Sequence, residues 1–186
     1  MDSNKKRLIW EDVEEKPLTD TRIFSLKSVR RRNIHGQESE FCVIDSKDWV
    51  NIVPVIEKDG ERFFLMVWQF RHGIGELTLE FPAGILDPGE TPLDAAIREL
   101  REETGYVAEC IKKIGEIRPN PAFLNNTSHT FLATGLRKVG ELELDEFEHV
   151  ECELIPESYV EKNMGYPPMC NAITLSAFYW YSAKKR

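Results

Sequence analysis

No two of the chain's cysteines stand at metal-binding or redox spacing: Cys42, Cys110, Cys152 and Cys170 are far apart, and no C-x-x-C pair occurs. A zinc ribbon and a thioredoxin-like site therefore lack their ligands, and the four are read as reduced, half-buried small side chains. Long apolar runs are also missing. No stretch approaches the roughly 18–20 residues that a membrane span needs, and the opening Met1-Asp2-Ser3-Asn4-Lys5-Lys6-Arg7 lacks the apolar core of a signal peptide. The expectation is a cytoplasmic protein with no membrane partner. Positive charge is in deficit, with 24 Lys and Arg against 32 Asp and Glu and a net charge of −8. Non-specific nucleic-acid binding rests on many Lys and Arg contacts to phosphate, so no nucleic-acid partner is expected. Arg30-Arg31-Arg32 is the one basic run, read as a solvated loop or an interface patch. Internal repeats and low-complexity segments are absent.

What is present suits a soluble domain: 186 residues, 41% hydrophobic and 10% aromatic, can bury a sizeable core. Residues 1–46 are set apart as a small antiparallel β appendage. Its β-type runs, Ile23-Phe24-Ser25-Leu26 and Phe41-Cys42-Val43-Ile44, flank an Arg-rich and His35-Gly36 turn region. The main domain, 47–186, opens with predicted strands over Val50 to Ile56 and Phe63 to Phe70, joined through the hairpin pair Asp59-Gly60. Pro54 has no N–H to give and predicts a bulge or an unpaired edge. Leu77, Leu79 and Phe81 alternate with Thr78 and Glu80, which predicts a strand with one buried face. Further strands are expected over Cys110 to Ile117, Ser128 to Leu132 and Val150 to Ile155. A short helix is expected over Pro156 to Asn163 and a longer amphipathic one over Asn171 to Tyr181, with Lys184, Lys185 and Arg186 complementing its C-terminal dipole. A mixed sheet between helices follows, an α/β or α+β sandwich.

The densest signal lies between Gly84 and Tyr106. Pro82, Gly84, Pro88 and Gly89 break regular pairing; Thr91 then stands as an N-cap, with Pro92 at the first helical position and Asp94 three residues past the cap. Gly105 suits the left-handed residue that stops a helix. Inside that helix, Glu99, Glu102 and Glu103 share one face. Each like-charge pair costs roughly 0.2–0.5 kcal/mol unless a cation sits between its members. A hard divalent cation is the natural remedy, and magnesium usually completes its shell with water and substrate phosphate, so a phosphorylated ligand is expected. Leu93, Ile97 and Leu100 supply an apolar stripe for the core. Arg98 can pair with Glu102 or with Glu90 in the preceding loop. The plainer reading is a solvated acidic helix face; the equally specified loop in front speaks against it.

Gly84, Glu90, Arg98, Glu99, Leu100, Glu102, Glu103, Gly105 and Tyr106 fill every fixed position of G-x5-E-x7-R-E-U-x-E-E-x-G-U, where U is bulky and apolar or aromatic. In this the chain resembles the Nudix family. Gln69 and Arg71, then Leu79-Glu80-Phe81-Pro82-Ala83-Gly84, then Pro121 sixteen residues after Gly105, are similar to its ADP-ribose and nucleoside-diphosphate-sugar pyrophosphatase branch, from about Arg22 onward. The resemblance implies a Nudix-type α/β/α sandwich with a mixed sheet and dependence on magnesium or manganese. It also implies a homodimer whose N-terminal strands help form the partner's substrate pocket. The implied reaction is hydrolysis of a nucleotide sugar to a nucleoside monophosphate and a sugar phosphate.

Roles carried over by the resemblance are specific. Glu99 and Glu103, with Glu102, would hold the metals, assisted by the backbone carbonyl of Ala83. Glu90 and Arg98 would orient those ligands. Arg71 would reach a phosphate through its guanidinium fork; a surface ion pair is the alternative. Ile85 lies where the branch brings backbone near the ligand. Phe24 and Phe41 fall where two subunits clamp the base, although a place in the core accounts for them at least as well. A carboxylate must also activate the attacking water. Glu102 is counted among the catalytic acids, and in the acidic loop 140–149 the favoured bases are Glu143 and Glu146, which the sequence does not separate. Asn120-Pro121-Ala122, followed by Asn125 and Asn126, replaces the Ser-Pro-Gly and nearby acids common in ADP-ribose enzymes. The terminal-sugar pocket is therefore expected to differ. ADP-ribose stands first among substrates, with ADP-, GDP- or UDP-hexoses next. Dinucleoside polyphosphates, flavin or nicotinamide dinucleotides, and damaged nucleotides would keep the box and change its flanks. A sensing module would keep the fold without turnover.

Overall fold

Opposite charges line up along the first strands. In the computed structural model, which describes residues 3–144 and 149–185, β1 (Trp10–Asp20), β2 (Phe24–Asn33) and β3 (Glu38–Ser46) form an antiparallel sheet in that order. β1 has no apolar alternation and was not expected as a strand. Its register on β2 sets Asp12 opposite Arg31 and Glu14 opposite Arg30, and the side chains close to 2.6 and 2.7 Å. Arg30-Arg31-Arg32, expected in a loop or patch, thus lies inside β2, because acids on both neighbouring strands meet it; Arg32 pairs with Glu38 of β3. The turn itself is confined to residues 34–37, with Gly36 at φ 79°.

The chain divides into two compact units. Met1–Lys47 groups with Arg118–Asn126, and Asp48–Ile117 groups with Thr127–Arg186. The detached segment joins the first unit through the Ile44 N–H, which donates to the Phe123 carbonyl at 2.7 Å, and through Asn125, which accepts from the Ser46 N–H and donates to Asp45. Asn126 donates to the Lys47 carbonyl. Both asparagines are therefore committed to holding this segment.

The second unit runs β4 (Trp49–Lys58), β5 (Glu61–Arg71), β6 (Glu76–Glu80), β7 (Ala83–Ile85), α1 (Pro92–Thr104), β8 (Tyr106–Ile117), β9 (Ser128–Lys138), β10 (Val150–Pro156), α2 (Glu157–Asn163) and α3 (Ala172–Lys185). Its sheet has the order β10-β5-β4-β9-β8, with β6 on β5 and β7 on β4. It is mixed because β4 and β9 run parallel while the other ladders are antiparallel. Asp59 and Gly60 make the β4–β5 hairpin with positive φ at both residues, as that turn type requires. Pro54 falls where β4 changes partner, between its pairing with β7 at Trp49–Asn51 and with β5 from Val55. The missing N–H comes at a gap in the ladder.

Alternation along β4 and β9 gives the sheet two apolar faces. Val50, Ile52, Phe131 and Ala133 pack under Ala95, Ala96 and Leu100 of α1. Val53, Val55, Phe64 and Met66 pack with Val160 of α2 and with Ala177 and Tyr181 of α3. The result is the expected α/β/α sandwich. Fully burying a side chain such as Leu100 is worth about 1.5–3 kcal/mol. None of the described helices is long and apolar enough to cross a membrane.

Leu93 and Ile97 do not reach the core; they are 43% and 47% exposed, and only Leu100 of the supposed stripe is buried. The helix presents Ala95 and Ala96 to the sheet instead, since small residues permit close approach, and that rotation carries Glu99 and Glu103 inward. On β6, Leu77 is exposed while Thr78, Leu79 and Glu80 are all buried. Polar partners for Thr78 and Glu80 override the simple alternation.

Candidate active site

Capping fixes where α1 begins. Thr91 is extended (φ −81°, ψ 154°); its hydroxyl accepts from the Asp94 N–H, and Pro92 opens the helix. At the other end Gly105 sits at φ 72° and donates its N–H to the Arg101 carbonyl. The 13 residues between hold the acids against β7. Glu103, 1% exposed, accepts the Ala83 N–H at 2.9 Å. Glu99, 8% exposed, lies so close to Gly84 that a Cβ there would stand 1.9 Å from Oε1. Only glycine leaves room for that carboxylate.

Arg98 binds the remaining acids. Its Nε and Nη2 donate to both Glu90 oxygens at 3.0 and 2.9 Å, Nη1 reaches Glu99 at 2.8 Å and Glu102 at 3.0 Å, and Nη2 also meets the Ile85 carbonyl at 3.1 Å. The Glu90 hydrogen bonds, with the charge of Glu99, hold the guanidinium far above its ordinary pKa. In return Arg98 holds Glu90 below the usual carboxylate value. The sequence left Glu102 and Glu90 as alternative partners for Arg98; the geometry brings both. Among the described residues no group of three His, Cys, Asp or Glu side chains converges closely enough to hold a metal ion.

A match to the family model described as NUDIX domain spans residues 46–169. The chain belongs to the Nudix family. The ADP-ribose pyrophosphatase of Bacillus subtilis (strain 168) is 36% identical over 147 residues, 75% of this chain and 77% of that protein. That of Mycobacterium tuberculosis (strain ATCC 25618 / H37Rv) is 30% identical over 164 residues, 88% and 72% of the respective chains. A solved structure described as an ADP compounds hydrolase shares the fold at a TM-score of 0.83, with 22% identity and coverage of 94% of this chain and 93% of its own. The protein is a Nudix pyrophosphohydrolase, related to the ADP-ribose and nucleoside-diphosphate-sugar pyrophosphatase branch.

Members of this family generally use a divalent metal, and the chemistry of the donors, though not their present spacing, fits one. Glu99 and Glu102, both paired with Arg98, and Glu103, held at the Ala83 N–H, are the carboxylates available to it. Oxygen-only donors, two of them on nearly buried acids, suit a hard divalent ion better than a softer one.

Arg71 lies on β5 with its Nε and Nη2 forked onto Glu80 at 2.8 and 2.7 Å. Burial alone would raise the Glu80 pKa, but Arg71, Thr78 and Asn171 outweigh it and hold the carboxyl below its ordinary value. Alternation along the strand predicts an exposed Glu80, whereas the structure leaves it 2% exposed. Its signal was the arginine nine residues earlier, across a hairpin. Glu143 donates its N–H to the Glu102 carbonyl, while its carboxylate accepts from Arg101 at 2.7 Å. Glu146 lies outside the described residues. In the first unit, Phe24 starts β2 and is half-buried, whereas Phe41 of β3 is 37% exposed, edge-on to Trp10 at 5.5 Å, with the Arg31 guanidinium over its ring.

Proposed function

We propose that this Nudix enzyme hydrolyses the pyrophosphate bond of ADP-ribose or a closely related nucleoside-diphosphate sugar, releasing a nucleoside monophosphate and a sugar phosphate. One observation carries the reading: Glu99 and Glu103 are held at Gly84 and Ala83 by a complete box, in a chain similar over most of its length to two proteins named ADP-ribose pyrophosphatase. Glu99, Glu102, Glu103 and the Ala83 carbonyl would hold magnesium or manganese. The bound ion supplies Lewis acidity and neutralises charge on the diphosphate. Arg98 and Glu90 keep those carboxylates oriented, and the Ile85 backbone lies beside the substrate. Arg71, steadied by Glu80, meets a phosphate oxygen. A carboxylate of the 140–149 loop, Glu143 or Glu146, takes the proton of the attacking water as its oxygen bonds to one phosphorus; the bridging P–O bond breaks, and the second phosphate leaves. For Glu143 this role requires release from Arg101.

The same reading makes the protein a cytoplasmic homodimer, with Phe24 and Phe41 at the base of the substrate nucleotide. It is supported by β1, where only Glu14 among the eleven residues is even half-buried. Sedimentation at micromolar concentration should give twice the mass of one chain.

Turnover of a panel of nucleotide sugars with magnesium, followed by product separation, tests the activity. Adenosine monophosphate plus ribose phosphate from ADP-ribose is the expected result. Preferred cleavage of a dinucleoside polyphosphate would move the protein to another branch. Tight binding without cleavage of any compound would make it a sensor.

A further inference from the structure

We propose that Asn51, Thr130 and Trp180 enclose a site for one internal water molecule, on the sheet face opposite α1. Asn51 and Thr130 are register partners on the parallel strands β4 and β9, and Gly115 of β8 is the partner of Thr130 on its other side. Asn51 is 1% exposed and Thr130 0%. Both side chains share the face that carries Val53 and Leu132, since residues two apart on a strand point the same way. The Trp180 indole of α3 lies on that face, directly over Gly115, where a Cβ would stand 2.2 Å from the ring. Asn51 and Thr130 thus lie side by side in one cross-strand row, with the Trp180 ring over the next position, and Asn51 Oδ1, Thr130 Oγ1 and Trp180 Nε1 are each buried without a hydrogen-bond partner. Asn51 has already given its amide nitrogen to Ser128 at 3.2 Å.

The chemistry of the three atoms selects the occupant. Indole N–H can only donate, an amide oxygen can only accept, and a hydroxyl can do either. A cation would be repelled by the indole N–H, and an anion would be repelled by the amide oxygen. Water accepts from Trp180, donates to Asn51 and completes a third bond with Thr130, the typical number for a buried water. Leaving three such atoms unbonded in the interior would be costly. The row continues to Ala83, the β7 partner of Asn51, so the water would brace the strand that also supports the candidate metal site.

Two measurements on the full chain decide it. A crystal structure with ordered solvent should show one peak within hydrogen-bond reach of all three atoms, and the Trp180 indole proton should give a cross-relaxation peak to a long-lived water. A dry site, or direct bonds among the three side chains, overturns the proposal. Thr130→Val keeps the shape and removes one partner; it should lower the folding equilibrium constant roughly tenfold. Combined with Trp180→Phe, the losses should be less than additive because both act on one molecule. Strictly additive losses would also overturn it.

Discussion

The two units hold their strands by different means. In the first, β1 and β2 are joined by exposed ion pairs, Asp12 to Arg31 and Glu14 to Arg30, and among its described residues only Val29 and Val43 are buried apolar side chains. In the second, apolar residues fill both sheet faces, and charges enter only at particular places. There the charges are costly and purposeful: Glu99 and Glu103 are nearly buried on the helix face that also packs Leu100. Exposed pairs are worth about 0–1 kcal/mol each, whereas a buried carboxylate must be matched by designed partners. Acids in the first unit therefore align strands, whereas Glu99 and Glu103 in the second lie where the proposed metal site would use them.

Glu103→Gln gives the sharpest break between those roles. The amide keeps the volume and can still accept the Ala83 N–H, so the fold should persist. Turnover of ADP-ribose with magnesium should drop by orders of magnitude. Unchanged kcat would remove Glu103 from the metal site. Gly84→Ala comes next in size, since its Cβ meets the end of a flexible side chain, and that can swing aside. Unfolding midpoints should barely move. Manganese affinity, read by electron paramagnetic resonance, should weaken by about 10–100-fold, as when a ligand loses its supporting contact. An unaltered affinity would mean that Glu99 has no fixed place against β7.

Leu100→Ala and Leu93→Ala probe the helix face. The first should cost about 2–5 kcal/mol in urea unfolding; the second, at a site 43% exposed, less than about 1 kcal/mol. Equal losses would restore the stripe read from sequence. That misreading shows what patterns convey. The cap at Thr91, the stop at Gly105 and the Asp59-Gly60 hairpin are local chemistry, so they were legible directly. The grouping of Glu99, Glu102 and Glu103 was legible as helical spacing. Which face turned inward was not, because Ala95 and Ala96 pack as well as larger residues yet give a weaker signal. β1 was invisible for a related reason: its partners are charges on another strand, and pairing at a distance leaves no period along the chain. The two-residue alternation around Thr78 and Glu80 failed because Arg71 meets Glu80 from across a hairpin.

Acid should expose the second unit's carboxylates as stability terms. Glu80, Glu90 and Glu157 all sit below their ordinary value of 4.5 in the fold. Glu157 is held there, against its burial, by Lys185, Tyr181 and Arg62. Depressed values favour the folded state above pH 4.5, and that contribution is lost as pH falls through the lower folded values. Urea midpoints should thus be level near neutrality and decline below about pH 4.5. Glu80→Gln should make the decline shallower. A decline that began near neutrality would assign the loss to other groups.

Salt should act on the first unit and spare the second. At 1 M ionic strength the Debye length shrinks to about 3 Å, comparable to the 2.6 and 2.7 Å contacts of Arg31 and Arg30, and these side chains are 35% and 41% exposed. Amide exchange along β1 should quicken a few-fold between 0.05 and about 1 M salt, while exchange in β4 and β9, shielded by apolar packing, should hold steady. The effect is small because no single pair matters much; the register depends on several pairs acting together. If β1 protection were indifferent to salt, its alignment would have to come from backbone pairing and from Trp10 against Phe41, and the contrast between the units would rest on burial alone.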